Sequence, residues 1–583
     1  MHINYSIINS DVSFIFTDNI YSNHVVTTII MNVHIHDISD DTSIITLVFT
    51  GVVKKLDVQK LQKILSNTND EHKYHITYFQ NNINKQVQYT WSGNLDTVTC
   101  SVCLEFGVPH DIVTLLLHPP NVRDEKPVEI PHTFKGDLHP YQLEAFQFAN
   151  RKLRTMLALD MGLGKTVIGV VYALLHLPAL VVCPANMIDS WITHIDAFAP
   201  DISCTSKYLD GSHDITVVSY HRLHHIKKNT TLSMNCIVAD EAHFLKHESS
   251  ARSSIFASFQ QSIQRTLLLT GTPAQRHMDM YHLLKLMDPL RFSSFFSDQR
   301  RVKKKEFHFA DRYCVPKPVW LAGKRHGFKF GENRNVEELR LVCKKYLLRM
   351  TKEEVLTLPT MYRNTVVVGT LTGEAAKNVQ SQLDEIENIR DTKGSLYADC
   401  ELLSMCRQTA LDKVSLVCPI IYDIHCSKTD YGRCIIFFHH KDVGQGYVTW
   451  MKEHNIPFMF IDGSVNMTSR KNILDEWTKK ECTVQFGVFS LCATSTGLNL
   501  QFCTRILCTE LTFHSCHHKQ AEARIHRIGQ TKEVHITYLL LKGSSDDMLW
   551  RCLNNKFQTE QLLFDDVKQP KRKRLCTWDI VPL

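Results

Sequence analysis

A glycine-rich stretch that could hold a phosphate group begins at residue 159. It reads LDMGLGKT, and it follows a short apolar run and opens a helical pattern. In that context backbone N–H groups cradle phosphates, and the helix N-terminus adds partial positive charge. Lys165 is expected to reach the β- and γ-phosphates, and the Thr166 hydroxyl to ligate Mg²⁺. Leu159 replaces the first glycine of the GxxxxGK[ST] pattern, but the strand and helix around it still predict a nucleotide site. The residues predicted to bind the nucleotide here are Met161, Gly162, Leu163, Gly164, Lys165 and Thr166.

Two adjacent carboxylates follow a later apolar run, in CIVADEAH (236–243). Asp240 is expected to hold Mg²⁺ and its water shell, and Glu241 to polarise an attacking water. The carboxyl ends of parallel strands are where such sheets bind ligands. An acidic pair alone is common, but after a phosphate loop it predicts hydrolysis of a nucleotide.

Two further stretches have both a chemical and a plain structural interpretation. LLLTGTPAQ (267–275) places a Thr-Gly-Thr turn at the end of a strand, where hydroxyls could sense the nucleotide, or where a simple turn precedes a proline. LHPYQLEAF (138–146) offers Gln142, whose amide could pair with an adenine edge, or it is only a helix start.

A pair of arginines stands near the C-terminal end, in KQAEARIHRIGQ (519–530). Arg524 and Arg527 are three apart and therefore share one face of a helix. Taken alone, such a pair is usually a solvated surface. The alternative is that both guanidinium groups point at a phosphate held elsewhere in the fold, with Gln520 in the same contact.

Short apolar β-type runs recur in two series, with helical patterns between them. The first series is MLAL (156–159), ALVVC (179–183), ITVVS (215–219), CIVA (236–239) and TLLLT (266–270). The second is CIIFF (434–438), FMFI (458–461), FGVFS (486–490), RILCT (505–509) and ITYLLL (536–541). Strands that are apolar at nearly every position and alternate with helices indicate parallel sheets covered on both faces. The predicted fold is therefore α/β, with two parallel-sheet lobes.

The remaining parts of the chain divide around these two lobes. Residues 1–130 carry strand-like pieces and are predicted to be β-rich or α+β, and residues 291–425 read as helical insertions and a linker. The predicted divisions are 1–130 (unassigned), 131–290 (ATP-binding lobe), 291–425 (helical protrusions), 426–555 (second lobe) and 556–583 (basic tail).

Composition describes an ordinary globular protein. The chain has 583 residues, 44% hydrophobic and 22% charged, with a net charge of +6 and nineteen cysteines without repeated spacing. Reduced thiols are the better interpretation, since no signal peptide opens the chain. CSVC (100–103) lacks the second pair of a zinc site. The apolar stretch 167–185 is interrupted by His176 and Pro178, and predicts a buried helix and strand rather than a membrane span.

The motifs together resemble the Swi/Snf family of helicase-like ATPases in superfamily two, over about residues 135–555. In family order they are DMGLGKT, DEAHFLK, LTGTPAQ, LRMTKEEVLTLP (348–359), IIFFHHKDV (435–443), IDGS (461–464), TGLNLQ (496–501) and QAEARIHRIGQ. DEAHFLK, HHKDV and the ending LLLKGSSDDMLWRCLNNK are most similar to the annealing-helicase (HepA-related) branch. The resemblance implies two RecA-like lobes with ATP and Mg²⁺ between them.

Some positions depart from the family pattern. Thr494 and Ser495 stand where the family has paired glycines, FHS (513–515) replaces Trp-Asn-Pro, and Ala523 replaces an acidic residue. HSCHH (514–518) is predicted to be a loop or a helix cap. The first 130 residues show no convincing match to the branch's accessory DNA-binding repeat.

The resemblance also implies how the site works. Lys165, Asp240, Glu241, Arg524 and Arg527 are the expected catalytic residues, Gln142 and Gln520 join the nucleotide contacts, and Thr166 and Asp240 hold Mg²⁺. Because the arginines come from the second lobe, hydrolysis would require the lobes to close.

DNA is the expected partner, bound mainly through its phosphates and independently of sequence. By family analogy its contacts are Arg276, Ser219–Tyr220 and the stretch around Thr496–Asn499. The basic run RRVKKKE (300–306) either faces DNA or is a solvated helix face. PKRKR (570–574) is interpreted as a nuclear import signal, or as a basic tail that touches DNA.

The leading hypothesis is therefore an ATP-dependent DNA translocase acting on duplex or forked DNA, with strand annealing or fork remodelling as its finer activity. Replication or repair factors are expected to bind through the N-terminal region. The alternatives are an RNA-directed or transcription-linked helicase of the same superfamily, and a nucleic-acid-binding scaffold whose ATPase has decayed.

Overall fold

The computed structural model describes most of the chain from residue 127 onward and four strands before that residue. The described ranges are 32–38, 44–50, 75–81, 86–94, 127–207, 212–224, 233–292, 309–321, 324–392, 395–427, 432–479, 481–492, 498–564 and 580–581. CSVC, RRVKKKE and PKRKR lie outside these residues.

The N-terminal strands form a four-stranded antiparallel sheet in the order β1-β2-β4-β3. Its strands are β1 (Asn32–Ile38), β2 (Ile44–Thr50), β3 (His75–Asn81) and β4 (Gln86–Asn94).

The first lobe is built on a seven-stranded parallel sheet in the order β13-β5-β10-β9-β6-β8-β7. Its strands are β5 (Arg154–Leu159), β6 (Ala179–Cys183), β7 (Cys204–Thr205), β8 (Ile215–Ser219), β9 (Cys236–Asp240), β10 (Arg265–Leu269) and β13 (Leu347–Met350). All five predicted strands of the first series are present. β5, β10 and β9 are neighbours, so the loops at their carboxyl ends meet.

The second lobe has its own seven-stranded parallel sheet, in the order β16-β17-β15-β18-β19-β14-β20. Its strands are β14 (Met361–Thr370), β15 (Arg433–Phe438), β16 (Phe458–Ile461), β17 (Phe486–Ser490), β18 (Cys503–Cys508), β19 (Val534–Lys542) and β20 (Ile580–Val581). The prediction of two parallel-sheet lobes is confirmed. The strands β13 and β14 were not predicted: one joins each sheet, and the chain crosses between the lobes over residues 351–360.

Both sheets are covered on both faces, which explains their unbroken apolar runs. In β9, Ile237 and Ala239 pack into one core of the first lobe, and Cys236 and Val238 into the other. In β15, Ile435 packs into one core of the second lobe, and Cys434 and Ile436 pack into the other. No disulfide joins the cysteines of the described ranges.

Helices flank the sheets and fill the segment between the lobes. Their bounds are Pro140–Asn150, Lys165–Leu175, Ile188–Phe198, Ala251–Gln260, His277–Met287, Pro289–Phe292, Phe309–Tyr313, Val336–Tyr346, Lys352–Val355, Gly373–Thr392, Ser395–Cys426, Lys441–Glu453, Met467–Thr478, Ser515–Ile525 and Ser545–Phe564, with 3₁₀ turns at Ala185–Met187 and Ala242–Leu245. The segment between the lobes also holds an antiparallel hairpin of β11 (Cys314–Leu321) and β12 (Lys324–Asn333).

The prediction for the apolar stretch at 167–185 is confirmed, since it falls on the helix Lys165–Leu175 and on β6. For HSCHH the prediction of a loop or helix cap is confirmed only for His514, because residues 515–518 form the first turn of the helix Ser515–Ile525. Among the residues whose structure is described, no helix is long and apolar enough to cross a membrane.

Candidate functional site

The glycine-rich loop joins β5 to the helix Lys165–Leu175. Gly162 and Gly164 have φ angles of 92° and 75°, in the left-handed region that side chains disfavour. A Cβ placed on Gly164 would collide with Nε2 of Gln142. Only glycine therefore fits this position, and Gly164 begins the helix whose N-terminal N–H groups face the loop.

Lys165 lies at the base of this loop. Its Nζ donates to the carbonyl oxygens of Leu159 at 2.8 Å and Asp160 at 3.1 Å. Burial lowers the pKa of Lys165, and the charges of Glu241 and Asp240 oppose that shift. The amine therefore stands close to both carboxylates. Thr166 follows it as the second residue of the helix and is half-buried.

Gln142 braces the loop from the helix Pro140–Asn150. Its Nε2 donates to the carbonyl of Leu163 at 3.2 Å, and its Oε1 accepts from the backbone of His139 at 3.0 Å. Both ends of the amide thus have protein partners. The adenine contact expected from the sequence stays a prediction, and the observed contacts give Gln142 a second role in shaping the loop.

Asp240 ends β9 and is 3% exposed. Trp191 donates from Nε1 to Oδ2 at 2.8 Å, and the backbone of Glu241 donates to Oδ1 at 2.9 Å. Burial, together with the charge of Glu241, raises the pKa of Asp240 to about 6. Trp191 orients this carboxylate, and the sequence interpretation had not selected it.

Glu241 has a strained backbone, with a φ of 51°. Non-glycine residues adopt this conformation rarely, and it recurs at functional sites. Its Oε2 lies 3.1 Å from Nδ1 of His243. Burial acts to raise the pKa of Glu241, but His243 and Lys165 hold it below its ordinary value, so the carboxylate is ionised.

The Thr-Gly-Thr turn lies between the loop and the two carboxylates. A Cβ on Gly271 would lie 2.8 Å from Cγ of Met161 and 3.4 Å from Nζ of Lys165. The hydroxyl oxygen of Thr270 lies 3.3 Å from Nδ1 of His243, and it accepts a hydrogen bond from the backbone N–H of Thr272. The turn therefore touches both the phosphate loop and the acidic strand end.

The arginine segment of the second lobe reaches the loop of the first. A Cβ on Gly162 would lie 3.6 Å from Cβ of Arg527. Burial and the neighbouring Arg527 lower the pKa of Arg524 to about 10, and the charge of Glu241 opposes them. Both arginines thus lie at the cleft between the lobes. Arg524 belongs to the helix Ser515–Ile525, but Arg527 follows the end of that helix, so the prediction that the two share one helix face is wrong.

The two glutamines that bracket these arginines differ. Gln530 is buried, and its Nε2 donates to the carbonyl oxygens of Gln501, Cys503 and Ile525 at 2.8, 2.9 and 3.1 Å. It fixes the end of the helix against β18. Gln520 is half-buried on the same helix, and its nucleotide contact stays a prediction.

Four further residues at this site were not selected from the sequence: Asp160, Arg349, Lys352 and His526. Arg349 lies 2.8 Å from Oδ1 of Asp160, and the backbone of Lys352 donates to Oδ2 at 3.1 Å. Nζ of Lys352 donates to the carbonyl of His526. The stretch LRMTKEEVLTLP was a signal for the family, but nothing in it indicates which residues it contacts.

The expected DNA contacts lie in different environments. The side chain of Arg276 is 61% exposed and pairs with Asp279 at 3.1 Å. Ser219 and Tyr220 are 5% and 7% exposed, and the Tyr220 hydroxyl donates to the carbonyl of Asp240 at 2.7 Å. The Tyr220 hydroxyl thus has an internal partner, and a contact of this pair with DNA stays a prediction. Thr496 lies outside the described residues, and Asn499 is exposed.

Comparison with known domain families finds two matches. Residues 141–377 match the SNF2-related domain, and residues 412–529 match the helicase conserved C-terminal domain. The first contains the phosphate loop, the acidic pair and the Thr-Gly-Thr turn, and the second contains both arginines.

Curated relatives align with most of this chain. The Xenopus laevis SWI/SNF-related matrix-associated actin-dependent regulator of chromatin subfamily A-like protein 1 is 29% identical over 73% of the chain and 44% of its own length. The human DNA annealing helicase and endonuclease ZRANB3 is 29% identical over 74% of the chain and 40% of its own length. The chain thus spans less than half the length of these relatives.

Among solved structures, the Sulfolobus solfataricus SWI2/SNF2 ATPase core in complex with dsDNA aligns with 76% of this chain and 99% of its own, at 20% identity and a TM-score of 0.34. The two domain matches follow one another along the chain and together include the phosphate loop, the acidic pair and both arginines. The chain belongs to the Swi/Snf family of helicase-like ATPases of superfamily two.

Proposed function

We propose that this chain is an ATP-dependent translocase that moves on duplex or forked DNA. One observation carries the proposal: the arginine segment of the second lobe lies against the phosphate loop of the first, with Cβ of Arg527 3.6 Å from the Cβ position of Gly162. A site shared in this way links hydrolysis of a nucleotide to the relative position of two lobes.

The phosphate loop fits a nucleoside triphosphate. The left-handed glycines leave room for phosphate where a Cβ would intrude, and the buried Thr272 hydroxyl has no hydrogen-bond partner among the described residues. Backbone N–H groups at the helix start would hold the phosphates, and Lys165 would neutralise them. Met161, Leu163 and Gln520 complete the proposed contacts.

The acidic strand end fits a hard cation. The oxygens of Thr166 and Asp240 are ligands of the type that Mg²⁺ prefers, usually with several waters retained. Bound Mg²⁺ would offset charge on the phosphate oxygens. Glu241 is ionised and is proposed to orient the attacking water and accept its proton.

Arg524 and Arg527 are proposed to stabilise the charge that develops on the transferred phosphoryl group. Such arginines contribute about 10³–10⁵ in rate in other nucleotide hydrolases. Because they belong to the second lobe, they act only when the lobes are together. Cycles of closure and opening would then move the protein along a strand.

DNA is the proposed track, held through its phosphates by exposed residues such as Arg276 and Asn499. The name of the human relative, a DNA annealing helicase and endonuclease, supports strand annealing as the finer activity, and fork remodelling is proposed beside it. The same proposal includes a nuclear location and replication or repair partners that bind at residues 1–130. It also includes the domain boundaries at residues 130, 290, 425 and 555.

The test is ATP hydrolysis measured with duplex DNA, forked DNA, single strands and RNA. We expect the largest stimulation by duplex or forked DNA, and displacement of a third strand from a DNA triplex as the chain moves. Lys165→Ala should lose hydrolysis. Arg524→Ala and Arg527→Ala should bind ATP but hydrolyse it about 10³-fold more slowly.

Arg551→Ala is the matched control, since Arg551 is an exposed helix residue whose Nε donates to the carbonyl of Asp547 at 3.2 Å, four residues earlier in the same helix. It should behave as the parent does. Stimulation by RNA above that by DNA would favour the RNA-directed alternative. A parent protein that binds nucleic acid but hydrolyses no ATP would favour the decayed scaffold.

A further inference from the structure

The crossing between the two lobes holds one buried lysine. Lys352 is the first residue of the short helix Lys352–Val355 and is 7% exposed. Thr351 and Glu354 cap this helix, with the backbone of Thr351 donating to Glu354 at 2.7 Å. The crossing is therefore locally ordered where Lys352 stands.

The backbone of Lys352 is fixed to the first lobe. It donates to Oδ2 of Asp160 at 3.1 Å, and the backbone of Asp160 donates to the carbonyl of Met350 at 3.0 Å. Arg349 holds the other oxygen of Asp160 at 2.8 Å. Burial acts to raise the pKa of Asp160, but Arg349 and the amide of Lys352 hold it below its ordinary value. Asp160 is the residue between β5 and the phosphate-loop sequence MGLGKT.

The side chain of Lys352 is fixed to the second lobe. Its Nζ donates to the carbonyl of His526, the residue that lies between Arg524 and Arg527 in the arginine segment. The ring of His526 donates from Nε2 to the carbonyl of Pro359 at 2.9 Å. The crossing thus holds His526 at both its backbone and its ring.

Lys352 also lies beside the nucleotide loop. A Cβ on Gly162 would be 3.6 Å from Cε of Lys352 and 3.6 Å from Cβ of Arg527. An ammonium group buried here needs a hydrogen-bond partner, since the unpaired charge would cost several kcal/mol. The carbonyl of His526 supplies it, so the position of the arginine segment and the burial of this amine depend on each other.

We propose that Lys352 is a positioning residue that holds the Arg524–Arg527 segment against the phosphate loop. It acts through the two arginines and does not itself touch the phosphates. The inference rests on the proposed ATP hydrolysis for its kinetic consequence, and on the contacts of His526 for its structural one. Loss of the amine should therefore release the arginine segment while leaving the phosphate loop intact.

The test compares Lys352→Met with the parent in three measurements. The turnover number kcat for DNA-stimulated ATP hydrolysis should fall about 10- to 100-fold, because small misplacement of catalytic groups has effects of that size. The Kd for ATP should change less than about threefold. Hydrogen–deuterium exchange should become faster over residues 519–530, and this third measurement needs no activity.

Lys152→Met is the matched control. Lys152 is also a buried lysine, 9% exposed, and its Nζ donates to the carbonyl of Lys345 at 2.6 Å within the first lobe. Burial lowers the pKa of Lys152 and of Lys352 alike, to about 8 in each. Loss of the Lys152 amine should lower the unfolding temperature but leave kcat and the exchange of residues 519–530 as in the parent. Lys352→Arg, which keeps a cationic donor, should recover part of the lost kcat.

Three results would overturn the inference. One is equal behaviour of the Lys352→Met and Lys152→Met variants. Another is a rise in the Kd for ATP as large as the fall in kcat, which would make Lys352 a phosphate ligand. The third is unchanged exchange over 519–530. A parent chain without DNA-stimulated hydrolysis would instead contradict the proposed function, and the exchange measurement would still decide the role of Lys352.

Discussion

Arg363 forms a two-pronged ion pair with Glu522, on the helix that ends in the arginine segment. Its Nε and terminal nitrogen lie 3.1 and 2.9 Å from the Glu522 carboxylate, which also accepts from the Tyr538 hydroxyl at 2.8 Å. Burial acts to raise the pKa of Glu522, but Arg363 and Tyr538 hold it below its ordinary value. The first strand after the crossing, β14, therefore holds the helix that presents Arg524.

Glu522→Gln should lower both stability and turnover. The amide keeps the shape but leaves the Arg363 charge unpaired, which destabilises by a few kcal/mol and frees the helix. We expect a lower unfolding temperature and a kcat about tenfold below the parent. Asp546→Asn breaks another buried pair in this lobe, with Lys413 at 2.8 Å, away from the cleft. Asp546→Asn should lower stability without lowering kcat. An equal fall in kcat in both variants would contradict the proposed role of Glu522.

Gly164→Ala should abolish tight ATP binding without unfolding the protein. The new Cβ would meet Gln142, and the left-handed backbone costs about 1–2 kcal/mol for an L-residue. We expect the Kd for ATP to rise at least about tenfold. Gly463→Ala is the control, since an added Cβ there would meet no atom of the described residues within 4 Å, apart from its chain neighbours. ATP binding by Gly164→Ala at the parent affinity would contradict the assigned loop.

Trp191→Phe should weaken Mg²⁺ binding. It keeps a buried ring but removes the N–H that donates to Asp240, and a hydrogen bond to a charged group contributes about 1.5–3 kcal/mol. The Mg²⁺ concentration for half-maximal hydrolysis should rise about tenfold, and calorimetric titration should find weaker binding of the MgATP complex.

Trp477→Phe tests whether loss of any buried indole N–H has this effect. Trp477 is fully buried in the second lobe and donates to the carbonyl of Val484 at 2.8 Å. Its replacement should leave the Mg²⁺ dependence unchanged. A shift of equal size in both variants would mean that general loosening, and not the orientation of Asp240, is responsible.

The Mg²⁺ requirement should depend on pH near 6. Burial and the charge of Glu241 raise the pKa of Asp240 to about 6, so its carboxylate takes up a proton as the pH falls through that value. A protonated carboxyl does not ligate Mg²⁺, and protons and metal therefore compete. Below pH 6 the half-maximal Mg²⁺ concentration should rise about tenfold per pH unit, and above pH 7 it should be constant. Magnesium titrations of hydrolysis from pH 5 to 8 check this; a flat profile would contradict it.

The sequence predicted the elements of this fold well where the signal is local. The strands β6, β8, β16 and β17 have the predicted bounds, because buried β-branched runs between turn residues admit one interpretation. The strands β13 and β14 escaped prediction. LLRM is short and MYRNTVVVGT is only partly buried, so neither carries the unbroken apolar pattern that marked the others.

The sequence by itself determined the chemistry of this protein: the glycines that leave space for phosphate, the lysine that follows them, the adjacent carboxylates and the arginine pair. The tertiary structure decided which of them meet. Lys352 is 192 residues from Asp160 and 174 from His526, and Trp191 is 49 residues from Asp240. Contacts over such distances follow from the strand order and the packing of one lobe on the other. Every residue has a backbone carbonyl, so a hydrogen bond to one cannot be recognised from the type of the accepting residue. For this reason the role of Lys352 could be found only in the folded chain.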